Sequence, residues 1–275
     1  MKKKEPKISA VMCTYKRFKC VERSVNMFLA QTYSNKELII FNTDVDNPYL
    51  DKQCKLMPHG ILIINCNTDF ETKEAYTNVG AIRRDALKFA GGDYVVTWDD
   101  DDIFLPHFMQ QAVDRMEETE MPSFKPEQSF FNSGNHLRLV MNTLEASIVA
   151  DINLVREYNF LLETGKEGLG WYTKMRDNKQ LDEHDKRYVP SYCFNWNDGQ
   201  EMNAPHKQSG DINNPNNFVN HKEASIDPCL SELRIYDTKQ MDTIYYPYYA
   251  YLYENVGEYP TDLVAKYLYE KSQPM

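Results

Sequence analysis

Residues 94–102 read Tyr-Val-Val-Thr-Trp-Asp-Asp-Asp-Asp, so an apolar, β-branched run ends in four consecutive aspartates. The apolar part predicts a buried β-strand. Two carboxylates about 4 Å apart repel by roughly 4 kcal/mol at an effective dielectric constant of about 20, so a compact chain needs positive charge beside this block. A hard divalent cation, which prefers oxygen ligands, is the leading candidate for that charge. The alternative is a solvated acidic turn.

Apolar runs and helical spacing alternate upstream of this block. Strands are predicted at 8–12, 37–41, 61–64 and 93–98, and amphipathic helices at 18–29, at 79–90 and after Pro106. Strands that alternate with helices predict βαβ units and a mostly parallel sheet, so the fold class is α/β.

Polar residues follow three of these predicted strands. They are the loop 14–17, the segment 42–46 and the aspartate block. In a parallel α/β sheet, ligands bind outside the carboxyl ends of the strands. The three segments therefore predict one polar crevice at that edge of the sheet.

Length and composition bound the remaining possibilities. The 275 residues allow one large α/β domain with a smaller appendage. The net charge of −10 excludes a nucleic-acid footprint over the whole surface, although it permits a local basic patch. The six cysteines form no CxxC pair, which favours reduced thiols and a cytoplasmic location. No secretory signal and no apolar run of about 20 residues is apparent, so no membrane span is expected.

The second half of the chain is less regular. Strands are predicted at 137–140 and 146–149, and residues 195–220, rich in Asn, Asp, Gly and Pro, predict a long loop. Nine of the 19 tyrosines fall between Tyr245 and Tyr269. They form either an aromatic face packed on the main domain or a platform for a sugar ring, a nucleobase or a partner chain.

Residues 8 to about 115 resemble the donor-binding half of family-2 glycosyltransferases. Five pieces carry the resemblance in order: Cys-Thr-Tyr-Lys-Arg at 13–17, Gln-Thr-Tyr at 31–33 with Glu-Leu-Ile-Ile at 37–40, Gly-Ala-Ile-Arg-Arg at 80–84, Ala-Gly-Gly-Asp-Tyr at 90–94, and the aspartates at 99–102. Each piece alone is weak, but their order and spacing together are specific. The second half of the chain matches more loosely.

The resemblance implies a GT-A (Rossmann-like) fold, with a mostly parallel central sheet flanked by helices. It also implies a division of the chain. Residues 1–120 would form the nucleotide-sugar-binding half of one domain, and 121–225 its acceptor-binding and catalytic half. Residues 226–275 would form a Tyr-rich helical extension.

The resemblance also implies a donor site and a metal site. The residues expected to contact the donor are Thr14, Tyr15, Arg17, Asn42, Asp44, Arg83, Asp99 and Asp100. The expected ligands of a Mn²⁺ or Mg²⁺ ion are Asp99, Asp101 and His206. Asn42 and Thr43 depart from the acidic residues usual after the second strand, although a UDP-sugar remains the default donor. For Arg83 the alternative is a salt bridge on a helix surface.

An inverting transfer needs a base that takes a proton from the acceptor hydroxyl. In the family this base lies in a Glu-Asp pair before a helix, and the matching residues are Glu167 and Gly168. Glu167 is therefore the candidate base, although the aspartate is missing. The rival is a cluster of Asp182, Glu183 and Asp185, for which an exposed charged turn is the favoured interpretation.

The function that the resemblance implies is inverting, metal-dependent transfer of a sugar from a nucleotide-diphosphate sugar to a saccharide. Three alternatives remain open. Hydroxymethylated phage DNA could be the acceptor, bound by basic residues at 2–4, 166, 174, 176, 186 and 187. A nucleotidyltransferase would also use paired aspartates, although residues 14–17 lack its glycines. If the protein were a non-catalytic nucleotide-sugar-binding relative, this would explain why Gly168 stands in place of the family's aspartate.

Overall fold

The computed structural model describes residues 5–49, 51, 55–133, 136–183, 189–195 and 233–255 of the chain. Asp185, His206 and the basic residues at 2–4, 186 and 187 lie outside these ranges. Among the helices that the ranges contain, none is long and apolar enough to cross a membrane.

The described residues form ten strands and six α-helices. The strands are β1 (Ile8–Thr14), β2 (Lys36–Asn42), β3 (Ile61–Asn65), β4 (Tyr94–Thr97), β5 (Ile103–Phe104), β6 (Ser123–Phe124), β7 (Gln128–Asn132), β8 (Leu137–Met141), β9 (Val149–Asp151) and β10 (Tyr192–Asn195). The helices are α1 (Phe18–Leu29), α2 (Val79–Ala86), α3 (Phe108–Thr119), α4 (Ile152–Tyr158), α5 (Leu169–Asp177) and α6 (Thr238–Asn255). Short 3-10 helices cover Met57–His59, Leu87–Phe89 and Glu145–Ser147.

The main sheet has six strands in the order β3-β2-β1-β4-β9-β6. Strands β3, β2, β1 and β4 run parallel, and β9 runs antiparallel to both of its neighbours. Thr14 is in register with Asn42, which is in register with Asn65, so three strands end at one edge. The aspartates follow β4 at the same edge. The predicted α/β class and its mostly parallel sheet are confirmed.

The main sheet is covered on both faces, which explains why its strands read as continuous apolar runs. In β1, Ile8, Ala10 and Met12 enter a core shared with α1 and α3. Val11 points to the other face and enters a core that includes Trp171 of α5. Alternating residues of one strand therefore serve two separate cores.

A second sheet, in the order β5-β10-β7-β8, packs beside the aspartate block. β5 follows the aspartates directly and pairs antiparallel with β10. Trp98, directly before the block, stacks on Phe104 of β5, directly after it, with ring centroids 3.8 Å apart, and the Trp98 indole donates a 2.8 Å hydrogen bond to Ser24. The backbone of the block is thus held on both sides by packed aromatic residues.

The described part of the Tyr-rich extension packs on the main domain. Tyr245 and Tyr249 of α6 are buried, and the Tyr248 ring lies 5.4 Å from that of Phe130 in β7. The segment before α6 is tied to α1, because the Arg234 guanidinium donates hydrogen bonds of 2.9 and 3.0 Å to the Glu22 carboxylate. Packing is therefore the interpretation that the structure supports for α6.

Two element boundaries differ from the sequence prediction. The helix predicted at 79–90 is α-helical only to Ala86 and then tightens into the 3-10 helix Leu87–Phe89. The strand predicted at 146–149 begins at Val149, because residues 145–147 form a 3-10 helix. Both differences lie at element ends, where tertiary packing rather than periodicity sets the limit.

Asp85 of α2 provides a test of the fold. Its buried carboxylate accepts hydrogen bonds from Lys88 (2.7 Å), the Phe70 amide (2.8 Å), Tyr76 (2.9 Å) and Arg84 (3.1 Å). Burial alone would raise the pKa of Asp85, but these donors hold it well below its usual range. We expect Asp85→Asn to lower the free energy of unfolding by about 1.5–3 kcal/mol at pH 7.

The loss of stability caused by Asp85→Asn is expected to shrink at acidic pH. Since the folded-state pKa lies below the unfolded value of about 3.9, the stabilisation is present above that pH and declines as the pH falls through it. Urea denaturation at pH 7 and below pH 4 should show the gap between wild type and Asp85→Asn narrowing. The exposed Asp177→Asn is the control. A gap that stays constant would contradict this assignment.

Candidate active site

The four aspartates of the block point in different directions and meet different partners. The Asp99 side chain is 26% exposed, that of Asp101 10%, and that of Asp100 only 3%. Asp102 is buried. Asp99 is therefore the only partly exposed carboxylate of the block, and Asp101 is the most accessible of the three buried ones.

Arg17, at the start of α1, holds two of the aspartates. Its Nη1 atom lies 2.8 Å from Asp100 Oδ1 and 2.9 Å from Asp101 Oδ2. Thr14, at the end of β1, donates a 2.6 Å hydrogen bond from its hydroxyl to Asp100. Burial disfavours charge on Arg17, but the two carboxylates outweigh it and raise the pKa of Arg17. The loop after β1 and the block after β4 are thus joined by charge.

The backbone of the block is clamped from two sides. Arg23 of α1 donates hydrogen bonds to the carbonyl oxygens of Asp100 (3.3 Å) and Asp101 (2.8 Å). Asn195 of β10 donates its side-chain amide to the Asp101 carbonyl (2.9 Å) and its backbone amide to Asp102 (3.0 Å). The Tyr192 hydroxyl donates to the other oxygen of Asp102. These bonds fix where the Asp99 and Asp101 side chains emerge.

Arg83 of α2 binds Asp99, the first aspartate of the block. Its Nη2 atom lies 2.8 Å from Asp99 Oδ1 and 3.2 Å from Glu167 Oε1. Burial opposes the charge, but Asp99 and Glu167 raise the pKa of Arg83. The salt bridge expected as the alternative role of Arg83 therefore exists. This salt bridge joins Arg83 to the partly exposed Asp99 in the crevice and does not lie on an outer helix surface.

Arginines supply part of the positive charge that the aspartate block demands. Arg17, Arg23 and Arg83 all contact the block through guanidinium groups. The compensation is incomplete, because burial still raises the pKa of Asp100 against the opposing charge of Arg17. Burial, reinforced by Asp101 and Asp99, also raises the pKa of Asp102. The block therefore remains a site that favours additional positive charge.

The donor set fits a hard cation only in part. Asp99 and Asp101 supply carboxylate oxygens, which Mg²⁺ and Mn²⁺ prefer. Within the ranges that the structure describes, however, no three Asp, Glu, His or Cys side chains are grouped as a metal cage. Mg²⁺ in nucleotide enzymes is commonly held by one or two carboxylates with phosphate and water oxygens. Asp99 and Asp101 match that pattern, and His206 lies outside the described residues.

The loop after β2 is organised by Asn42. This fully buried side chain donates 2.9 Å hydrogen bonds to the Asp44 carbonyl and to Asn65 Oδ1, and its own oxygen accepts from the Asp44 amide. Asp44 is also buried and accepts a 3.0 Å hydrogen bond from Asn47. Both residues shape the rim of the crevice. Their direct contact with a donor stays a prediction.

Tyr15 lies at the mouth of the same crevice. Its ring is partly exposed, and the Lys16 ammonium lies 5.3 Å from the ring centroid. Lys16 has a φ of 54°, so the loop turns sharply between β1 and Arg17. The contact between Tyr15 and a donor that the resemblance implies stays a prediction.

The candidate base Glu167 lies in the crevice, and the rival cluster does not join it. Glu167 is 6% exposed, and one of its oxygens is taken by Arg83. Asp182 pairs with Arg115, with 2.5 Å between Oδ2 and Nε, and Glu183 lies 3.1 Å from the Lys125 ammonium. Among the described residues, the rival cluster thus forms structural ion pairs, which leaves Glu167 as the better placed sequence candidate.

Comparison with known proteins agrees with this geometry. Residues 9–138 match the model of glycosyl transferase family 2. This stretch is a family-2 glycosyltransferase domain. It contains β1 to β4, the aspartate block and the three arginines that bind it.

One curated relative is UDP-Glc:alpha-D-GlcNAc-diphosphoundecaprenol beta-1,3-glucosyltransferase WfgD of Escherichia coli. The two sequences are 24% identical over 174 residues, which cover 63% of this chain and 61% of the relative. The chain thus spans about three fifths of the length of the relative it matches.

Solved structures share the fold. S. aureus TarS 1–349 in complex with UDP and in complex with UDP-GlcNAc each has a TM-score of 0.55 and 16% identity. The matches cover 71% of this chain and 62% and 60% of the TarS chains. At this level of identity the likeness establishes the fold, and the GT-A architecture expected from the sequence is confirmed.

Several residues of the family-2 site were not found by sequence reasoning. Arg23, Asn195 and Tyr192 act on the aspartate block, and Glu145 lies beside Gly168. Arg23 follows Arg17 by six residues, and this spacing does not place two residues on one face of a helix, so it gave no signal. The other three approach from distant parts of the chain, and nothing local marks them.

The close approach of a distant segment explains why the motif at residues 80–83 begins with a glycine. A Cβ atom at this position would lie 1.7 Å from the Leu161 carbonyl oxygen. The Gly80 amide donates a 3.0 Å hydrogen bond to the Glu163 carbonyl. The segment before α5 therefore crosses α2 at backbone distance, and this crossing brings Glu167 to Arg83.

We expect Gly80→Ala to lower the free energy of unfolding by about 3 kcal/mol, because the methyl group would displace backbone. Helix propensity alone predicts the opposite sign, a gain of up to about 1 kcal/mol. The matched control is Gly91→Ala, where the nearest atom to the added Cβ is Glu37 Oε1 at 3.6 Å. Thermal and urea unfolding of both variants measures the two changes in the free energy of unfolding. A stabilised Gly80→Ala protein would refute the crossing.

Proposed function

We propose that the chain transfers a sugar, with inversion, from a nucleotide-diphosphate sugar to an acceptor hydroxyl. The observation that carries this proposal is the placement of Arg17 and Arg83 on either side of Asp99 and Asp101, at the carboxyl ends of β1 and β4. A diphosphate leaving group gains negative charge as it departs. Preorganised cationic groups in a crevice stabilise that charge more than water does.

The residues divide into groups with different tasks. Arg17 and Arg83 face the diphosphate, and their pairs with the aspartates keep them in place before the donor arrives. Thr14 holds Asp100, which in turn orients Arg17. Tyr15, Asn42 and Asp44 line the nucleoside end, as the resemblance implies. UDP is the proposed nucleotide, supported by the name of the relative WfgD and by the TarS complexes.

Asp99 and Asp101 are the proposed ligands of a divalent Mn²⁺ or Mg²⁺ ion, with His206 as a further candidate outside the described residues. Bound there, the ion would act as a Lewis acid that offsets charge on the diphosphate. The partial exposure of the Asp99 side chain (26%) supports Asp99, and the Asp101 side chain, although buried, is more accessible (10%) than that of Asp100 (3%).

A saccharide is the proposed acceptor, and WfgD by name acts on an N-acetylglucosamine diphosphate lipid. Hydroxymethylated DNA is the second candidate, because Lys166, Lys174 and Arg176 are exposed before and along α5. Binding of the two acceptors should differ in its dependence on salt. Because DNA binding releases counterions, the affinity for DNA falls steeply as the ionic strength rises.

The first experiment is a screen for UDP release. Wild-type protein would be incubated with UDP-glucose or UDP-N-acetylglucosamine and Mn²⁺, first in water and then with a short-lipid N-acetylglucosamine diphosphate or hydroxymethylated DNA. Release of UDP and formation of an inverted glycosidic bond support the proposal. Release of pyrophosphate from a nucleoside triphosphate would instead identify a nucleotidyltransferase. Absence of both UDP release and UDP binding would overturn the proposed function.

Asp101→Asn tests the role of the block. The change keeps the size of the side chain but removes a charge from the proposed cation site. We expect Mn²⁺-dependent UDP release to fall at least 100-fold, and UDP affinity in the presence of Mn²⁺ to fall about 10- to 100-fold. Calorimetry and a coupled UDP assay measure the two effects.

The matched control is Asp114→Asn on the exposed face of α3, which should leave both quantities unchanged. A thermal melt of each variant separates loss of the site from loss of the fold. Transfer by Asp101→Asn at the wild-type rate would contradict the assignment of Asp101.

A further inference from the structure

Glu145 occupies the space in which a side chain at position 168 would lie. A Cβ atom built on Gly168 would be 2.3 Å from Glu145 Cγ and 3.2 Å from Glu145 Oε1. Gly168 is the N-cap of α5 and has a φ of −80°, which any residue adopts. The glycine is therefore required for space and not for backbone conformation. It makes room for a carboxylate that comes from another part of the chain.

Glu145 and Glu167 are in different situations, although both lie near Arg83. Glu167 is 6% exposed, and its Oε1 atom is 3.2 Å from the Arg83 guanidinium. Glu145 lies in the 3-10 helix Glu145–Ser147 before β9 and is partly exposed. A base must reach the proton that it removes. Glu145 has access to solvent, whereas Glu167 is enclosed and paired.

We propose that Glu145 is the general base of the transfer reaction and that Glu167 is a positioning residue that holds Arg83. This assignment rests on the proposed function, since it names the base of that same reaction. The proposed base therefore lies on the segment before β9, whereas the family resemblance points to Glu167, which directly precedes the N-cap of α5.

The Glu145 carboxylate accepts the proton of the acceptor hydroxyl while the acceptor oxygen forms a bond to the anomeric carbon of the sugar. The bond between that carbon and the β-phosphate oxygen breaks, and UDP leaves with the electron pair. Protonated Glu145 then returns its proton to water. The carbon is attacked from the side opposite the leaving group, so its configuration inverts.

The surroundings of Glu145 suit a base. Burial raises the pKa of Glu145 above its usual value. Its own backbone amide and the charges of Arg83 and Lys125 oppose the rise, and Glu167 adds to it. A higher pKa makes the carboxylate a stronger proton acceptor. Because the base works only when ionised, activity should fall on the acidic side, at a higher pH than an ordinary glutamate would give.

The central variants are Glu145→Gln and Glu145→Ala, with the exposed Glu157→Gln of α4 as the matched control. The readout is UDP release from UDP-glucose or UDP-N-acetylglucosamine, to the acceptor found in the screen or to water. We expect Glu145→Gln to lower kcat about 10²- to 10⁴-fold and to abolish the acidic limb of the pH profile. UDP affinity should change less than twofold. Sodium formate, a small carboxylate, should partly restore Glu145→Ala.

A relocated carboxylate gives a sharper test. Gly168→Asp alone would collide with Glu145 and should lose stability or activity. In the double variant Glu145→Ala/Gly168→Asp the space is vacant, and the new aspartate should raise kcat at least 10-fold above that of Glu145→Ala. A purely structural role for Glu145 predicts no such recovery and no rescue by formate.

The outcomes separate the two proposals. If wild type neither binds UDP nor releases it from a donor, the proposed function fails, and the assignment of Glu145 fails with it. If wild type is active and Glu145→Gln keeps its rate and pH profile, only the assignment is overturned. Glu167→Gln should mainly weaken UDP binding, through Arg83. Loss of kcat in Glu167→Gln with normal kcat in Glu145→Gln would make Glu167 the base and overturn the inference.

Discussion

The pairing of Arg17 with Asp100 and Asp101 is the interaction on which the rest of the site depends. Four adjacent carboxylates at a strand end would repel one another if they were left alone. Arg17 neutralises part of that charge, and Arg23 fixes the backbone of the block from the same helix. The constraint can be met only because β1 and β4 are neighbours in the sheet, so that α1 begins beside the aspartates.

The same constraint explains the division of labour within the block. Asp100 and Asp102 are buried and hold Thr14, Arg17, Tyr192 and the Asn195 amide. Asp99 is the one partly exposed member of the block, and Asp101 is buried beside Arg17. Arg83 reaches Asp99 from α2, so the Asp99 and Asp101 carboxylates lie between two guanidinium groups. The charged groups of the crevice are therefore preorganised, and fixed charges of this kind stabilise developing charge more than water does.

Packing between distant segments decides which groups surround Glu167 and Arg83 in the crevice. Gly80 lets the segment before α5 cross α2 at backbone distance, and Gly168 leaves room for Glu145. Both glycines are conspicuous in the sequence. Their reasons lie in Leu161 and Glu145, which are 81 and 23 residues away along the chain. The absence of a side chain at one position thus admits a functional group from another.

The sequence by itself determined the α/β class, the parallel strands and the aspartate crevice. These features follow from periodicity, from strand-helix alternation and from the charge of residues 99–102, all of which are local properties. It also supplied the family resemblance, which implies that Arg83 belongs to the donor site. Only the tertiary structure showed the pairing of Arg17, the clamp by Asn195 and the position of Glu145. Those contacts join residues 23 to 94 positions apart, and no local pattern encodes which distant segment fills a given space.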